Sequence, residues 1–135
     1  MKKKVDSAIR KPPAGLISGS DVSREAVEIS RTNLKNLKYG NTVNVSTRSI
    51  ERSKELHNMV IVSNPPYGIR LGGGEKLDLF YKSLGDFMKQ KCTGSSAYIY
   101  FGEREFIKKI GLKAKWKKPL KTGGLDGRLV KYELY

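Results

Sequence analysis

Four consecutive apolar residues, Met59-Val60-Ile61-Val62, run without a break into Ser63-Asn64-Pro65-Pro66-Tyr67-Gly68, and this junction constrains the fold more than any other stretch. A strand that is apolar at every position suits a parallel sheet covered on both faces, whereas a half-exposed strand alternates. The two prolines then forbid continuation as ladder or as helix, because neither has an N–H to donate and each fixes its own φ. The chain must therefore leave the sheet at the carboxyl end of this strand. In open α/β sheets that is the end at which ligands bind.

The flanking pattern agrees. Residues 15–20 predict a short strand closing at Asp21. Ser23 is placed to cap a helix whose opening turns carry Glu25 and Glu28, where the helix dipole favours acids. Val27, Ser30, Leu34 and Leu37 follow at helical spacing, with Gly40 as the expected stop. Val43 to Thr47 alternates like a strand. Beyond Gly72-Gly73-Gly74, an apolar stripe of Leu77, Phe80, Tyr81, Leu84, Phe87 and Met88 predicts the clearest helix. Ala97 to Phe101 reads as a strand, and Glu103 to Ile110 as a short helix stopped by Gly111. Leu112, Ala114 and Trp116 alternate, as do residues 129–135, with a turn over Thr122 to Gly127 between them. Residues 1–14 are basic and close on Pro12-Pro13, which favours an extended leader or linker. The sum is one α/β domain that finishes in an antiparallel hairpin.

Charge narrows the partner. Lys plus Arg number 27 against 13 Asp plus Glu, a net +14 over 135 residues. Such an excess attracts a polyanion, with salt-sensitive binding through counterion release. Between Phe106 and Leu125 there are seven lysines and no acid. Lys113, Lys115, Trp116, Lys117 and Lys118 are read as an RNA contact, against the plainer reading of a solvated face. These lysines do not lie opposite an apolar helical stripe, so a membrane surface is disfavoured. No apolar run approaches the roughly 20 residues that cross a bilayer, and none follows Met1-Lys2-Lys3-Lys4 as a secretory signal requires. The single Cys92 can form neither an internal disulfide nor a metal cluster. The expectation is a cytoplasmic protein with no metal and no membrane partner. His57 is read as a loop residue without a role.

The Asn64-Pro65-Pro66-Tyr67 motif suits one chemistry. An exocyclic amine on an aromatic base is a poor nucleophile, because its lone pair is delocalised into the ring. The Asn64 side-chain oxygen and the Pro65 carbonyl can accept its two N–H groups and turn the lone pair toward an electrophile. The prolines hold those acceptors ready in advance. Tyr67 offers a face for a flipped base, a contact of about 1–3 kcal/mol. The competing reading is a Pro-Pro turn with a buried tyrosine.

The stretch from Val62 to Gly72 resembles motif IV of the class I methyltransferases. Its extension through Gly68 and Arg70-Leu71 is similar to the branch that makes N2-methylguanine in large-subunit ribosomal RNA, usually beside a THUMP RNA-binding domain. Residues 17–23, Ala26, Arg31 and Asn33-Leu34 resemble the second strand and following helix of that family. Gly123-Gly124-Leu125-Asp126 resembles its closing hairpin. The resemblance implies S-adenosylmethionine (SAM) as cofactor, with Asp21 and Val22 at its ribose and Ser49 near its adenine, where the family carries an acid. It makes Asn64, Pro65, Pro66 and Tyr67 the base-amine site and puts Arg70 beside the substrate, 23S ribosomal RNA. The implied fold is a Rossmann-like class I methyltransferase sheet. It is incomplete, because the family's first strand and glycine-rich loop precede Gly15 and residues 1–14 supply neither. Residues 15–135 are then a partial SAM-dependent methyltransferase domain. The chain then reads as a fragment, from a truncated or split reading frame or from a longer protein, with a partner chain or self-association as one source of the missing strand, and SAM binding by this chain alone is expected to be weak or absent. Alternatives are a non-catalytic RNA-binding remnant, or an adenine-N6 or glutamine-N5 methyltransferase. The +14 charge argues against a small protein substrate.

Overall fold

The structure, a computed structural model, describes residues 2–66 and 74–135. The chain divides into two compact units, residues 1–52 and 53–135.

The first unit contains α1 (Lys2–Ser7), β1 (Ser18–Asp21), α2 (Arg24–Lys35), a 3-10 turn over Gly40–Thr42, β2 (Asn44–Thr47) and a second 3-10 turn over Ile50–Arg52. The leader expected to be extended is thus helical over its first part. Pro12 and Pro13 restrict the residues beside them and leave Lys2 to Ser7 free to coil. β1 and β2 pair in parallel, from Ser18 opposite Asn44 to Asp21 opposite Thr47. Ser23 caps α2 as expected, its hydroxyl accepting the Ala26 N–H at 3.1 Å. The helix ends at Asn36, short of Gly40, and Leu37 is exposed rather than on a core face. Gly40 instead lets the chain fold back on the helix end, since a Cβ there would lie within 1.8 Å of the Leu34 carbonyl oxygen. Arg31 ties α2 to β2 by donating from Nη2 and Nε to the Val45 carbonyl at 2.7 and 3.2 Å.

The second unit contains β3 (Val60–Ser63), α3 (Gly74–Lys91), β4 (Ser96–Phe101), a 3-10 turn over Arg104–Phe106 leading into α4 (Ile107–Ile110), β5 (Trp116–Thr122) and β6 (Leu125–Glu133). The strands are ordered β3-β4-β6-β5. β3 and β4 are parallel, joined through α3, and the other two pairings are antiparallel. The closing hairpin is tighter than its sequence suggests. The ladder runs to Thr122 opposite Leu125, and Gly123 and Gly124, at φ 51° and 82°, form the turn alone. Two positive φ values give the turn a twist that matches the strands. Leu112 and Ala114 lie outside any strand, because β5 begins at Trp116, just after Lys115 donates its N–H to the Lys131 carbonyl at 2.7 Å.

One face of this sheet is packed. Ala97, Ile99, Phe101, Val130 and Tyr132 are fully buried there, with Leu77, Tyr81, Leu84 and Met88 of α3 also buried. Each such side chain contributes about 1.5–3 kcal/mol over leaving it in water. The Tyr81 ring stacks 4.7 Å from Phe106 and 5.7 Å from Phe101, which joins α3 to the sheet. The buried Tyr132 hydroxyl has no hydrogen-bond partner among the described residues, and burial pushes its phenol up to about 12. The opposite face is exposed at β3 and shielded farther along, where Tyr100 is 9% exposed. Val62, Tyr98, Lys131 and Trp116 form one row across all four strands. Val60 and Val62 are 72% and 77% exposed there. Within this unit α3 packs on the Ala97–Phe101 side only, so the expected cover on the second face of β3 does not come from these residues. Among the described residues no helix is long and apolar enough to cross a membrane.

Candidate functional site

β3 is pinned at its amino end so that its carboxyl end falls at a defined place. Ser95, buried in the turn before β4, accepts the Met59 N–H at 2.9 Å and donates to the Leu56 carbonyl. The Leu56 N–H in turn donates to the Lys91 carbonyl at 2.7 Å. Ser63 is the last β3 residue in register, opposite Ile99. The motif follows at once. Asn64 is exposed, Pro65 is buried and Pro66 is half-buried. Tyr67 and Arg70 lie outside the described residues. The Pro66 carbonyl accepts a hydrogen bond from the Tyr81 hydroxyl at 2.7 Å. An exposed amide side chain therefore stands next to a buried proline and a half-buried one whose carbonyl is held.

From the sequence Tyr81 is only a member of the α3 stripe. The signal available was its type: a tyrosine among Phe, Leu and Met must place its hydroxyl with a partner when buried.

In the first unit, Asp21, Val22 and Ser49 lie at the carboxyl ends of the two strands. The Arg48 N–H donates to the Asp21 carbonyl at 2.9 Å, which draws the segment after β2 against the end of β1. Asp21 is exposed, and its Oδ1 accepts the Ser23 N–H at 2.8 Å. A carboxylate has about four lone-pair sites, so this side chain keeps capacity for the two hydroxyls of a ribose. Val22 is 69% exposed and Ser49 is half-buried. The residues present thus fit the ribose end of a nucleoside cofactor. A glycine-rich cradle for its other end is not found among the described residues.

The lysine run is exposed but does not form one face. Lys113 and Lys115 precede β5 and are exposed. Within β5 the side chains alternate, so Trp116 and Lys118 share the face of Tyr98 while Lys117 points to the other. Lys118 Nζ sits 4.6 Å over the Trp116 ring, and Trp116 lies 6.0 Å from Tyr98. Lys131 stands between these rings in the register. Its pKa is raised, first by a hydrogen bond to the Tyr98 side chain and also by Glu133, so it stays cationic. Asp126 is committed to Arg128 at 2.9 Å, and that bond and charge lower its pKa. His57 is exposed in a turn with Nε2 2.8 Å from Glu55, as its reading as a loop residue requires. No cluster of metal-ligating side chains occurs among the described residues.

The chain is 34% identical to a candidate RNA methyltransferase of Synechocystis sp., over 87% of this chain and 31% of that protein. It is 28% identical to the ribosomal RNA large subunit methyltransferase K/L of Hydrogenovibrio crunogenus, over 98% of this chain and 19% of that protein. It therefore spans about a third or less of the length of these curated relatives. Its fold matches the crystal structure of SMU.472, described as a methyltransferase candidate complexed with SAH, at a TM-score of 0.78 and 30% identity, covering 88% of this chain and 32% of that one. The UPF0020 description, RMKL-like methyltransferase domain, matches residues 1–131. With β3, the Asn64-Pro65-Pro66 corner and the closing hairpin all in place, the chain belongs to the UPF0020 family of RMKL-like methyltransferase domains.

Proposed function

We propose that this chain is the base-holding part of a SAM-dependent RNA methyltransferase, acting on an exocyclic nitrogen, and that the nitrogen is N2 of guanine in large-subunit ribosomal RNA. The observation that carries the reading is the corner at the end of β3, where the exposed Asn64 stands beside the buried Pro65 and Pro66 is held from behind by Tyr81. The Asn64 oxygen and the Pro65 carbonyl accept the two N–H bonds of the base amine, and its lone pair is left to point away from the ring plane. When bound, SAM supplies a methyl group on a sulfonium. Asp21 would hold its ribose, with Val22 beside it and Ser49 near its adenine. Tyr67 stacks on the base, and Arg70, Lys113, Lys115, Trp116, Lys117 and Lys118 contact the RNA. The named activity of the Hydrogenovibrio relative and the +14 charge support an RNA substrate of the ribosomal class. Residues 15–135 belong to the methyltransferase domain in this reading, with residues 1–14 as a basic leader, in a cytoplasmic protein.

The test is transfer of a labelled methyl group to large-subunit RNA lacking its modifications, followed by nucleoside analysis. Label in N2-methylguanosine is expected. Label in N6-methyladenosine would replace guanine by adenine, and RNA retention without label would leave a binding role only.

We also infer a strand partner. Among the described residues β1 pairs only with β2 and β3 only with β4, so each keeps one unpaired edge. An unpaired apolar edge invites association. The partner strand comes from a segment of the same protein outside residues 1–135, from a second copy or from a further polypeptide. Sedimentation equilibrium is expected to show a mass above 15.1 kDa. A lone monomer at tens of micromolar would exclude the second copy.

A further inference from the structure

We propose that Tyr81 is a positioning residue for the base-amine site, setting the geometry of Asn64 and the Pro65 carbonyl through its hydrogen bond to the Pro66 carbonyl. The inference rests on the reading of Asn64 and Pro65 as the acceptor pair.

Tyr81 is 0% exposed, so water cannot substitute for its partner. At 2.7 Å its bond to Pro66 has the usual length for a well-made O–H···O contact. The ring itself cannot drift. It is stacked at 12° on Phe106 and 27° on Phe101, and Phe80 meets it edge-on at 5.5 Å. The corner must therefore follow the ring, and not the reverse.

Geometry carries that constraint to the acceptors. Ser63 is fixed in the ladder with β4, and Pro66 is fixed at Tyr81. Asn64 and Pro65 lie between these two points. Each proline ring locks its own φ. With φ of Pro66 locked and its carbonyl held, the peptide plane joining Pro65 to Pro66 has little freedom, and that plane contains the Pro65 carbonyl. Packing of α3 does not require the hydroxyl, because a phenylalanine would fill the same space.

The test is Tyr81→Phe in the full chain, read in two ways. By NMR, the Asn64 side-chain amide and the Pro65 and Pro66 carbonyl signals are expected to shift and broaden, while Ala97 and Val130 signals stay in place. In single-turnover methyl transfer, the rate is expected to fall about ten- to a hundredfold with RNA and SAM dissociation constants within about twofold, the pattern of lost orientation. A purely structural hydroxyl would lower thermal stability and leave the Asn64 and Pro65 signals of the folded protein unchanged, and that result overturns the proposal. So does a wild-type rate constant. Full turnover in Asn64→Ala would instead overturn the base-amine reading, and the NMR comparison would still decide whether Tyr81 positions the corner.

Discussion

Replacing Asn64 by alanine is expected to lower methyl transfer at least about a hundredfold, the scale for one preorganised polar group at a reacting centre. The change removes one of two acceptors and leaves the other, the Pro65 carbonyl, which belongs to the backbone. A base amine held by one bond can still enter the site, but it can swing about that bond and return its lone pair to conjugation. A hundredfold corresponds to about 2.7 kcal/mol in the barrier. Stability should hardly change, because Asn64 is exposed and packs into no core. RNA affinity should also hold within about twofold, since the counterion-release term comes from the lysines. Single-turnover rates and filter binding, measured on the same preparations, separate the two effects. A variant within threefold of the parent rate would sink the acceptor role. A remnant that only binds RNA would show no turnover to lose.

The corner at Asn64 to Pro66 was legible in the sequence because its information is local. An unbroken apolar strand and two prolines fix where the chain leaves the sheet, whatever the rest of the fold does. The α3 stripe and the β6 alternation were legible for a similar reason: Leu77, Tyr81, Leu84 and Met88 are buried, and so are Val130, Tyr132 and Leu134. Non-local facts were less visible. Nothing in Met59 to Val62 says that α3 covers only one face of β3, since burial depends on what is laid against it. The lysine run is plain as charge, yet the pleat of β5 sends Lys117 and Lys118 to opposite faces. Tyr81 and Pro66 are 15 residues apart, and no spacing rule links a helix to the corner before it. The target base stays open for a chemical reason. An amide oxygen and a carbonyl accept from any planar NH2, so the pair specifies an amine and not the ring that bears it.

Changing Gly85 to alanine sets two known effects against each other, and the structure decides the sign. Gly85 lies within α3, where alanine is favoured over glycine by about 1 kcal/mol in helix propensity. A Cβ at this position, however, would lie 2.0 Å from the Ile110 carbonyl oxygen and 2.9 Å from its carbon. Both obstacles are backbone, so no side-chain rotation can relieve them. α4 would have to lift off α3. Ile110 is 1% exposed, and Phe106, just before α4, is 6% exposed and stacked on Tyr81. Overpacking of this kind costs about 1–3 kcal/mol, and partial exposure of Ile110 adds a similar amount. The net expectation is a loss of about 2–3 kcal/mol despite the better propensity, a large share of the 5–15 kcal/mol typical of a domain. Urea titration should show a lower midpoint with an unchanged slope. Because the displaced Phe106 supports the Tyr81 ring, the Asn64 signals should move as well, although Gly85 touches no part of the corner. An unchanged or higher midpoint would mean that α4 is not seated on α3 through this glycine.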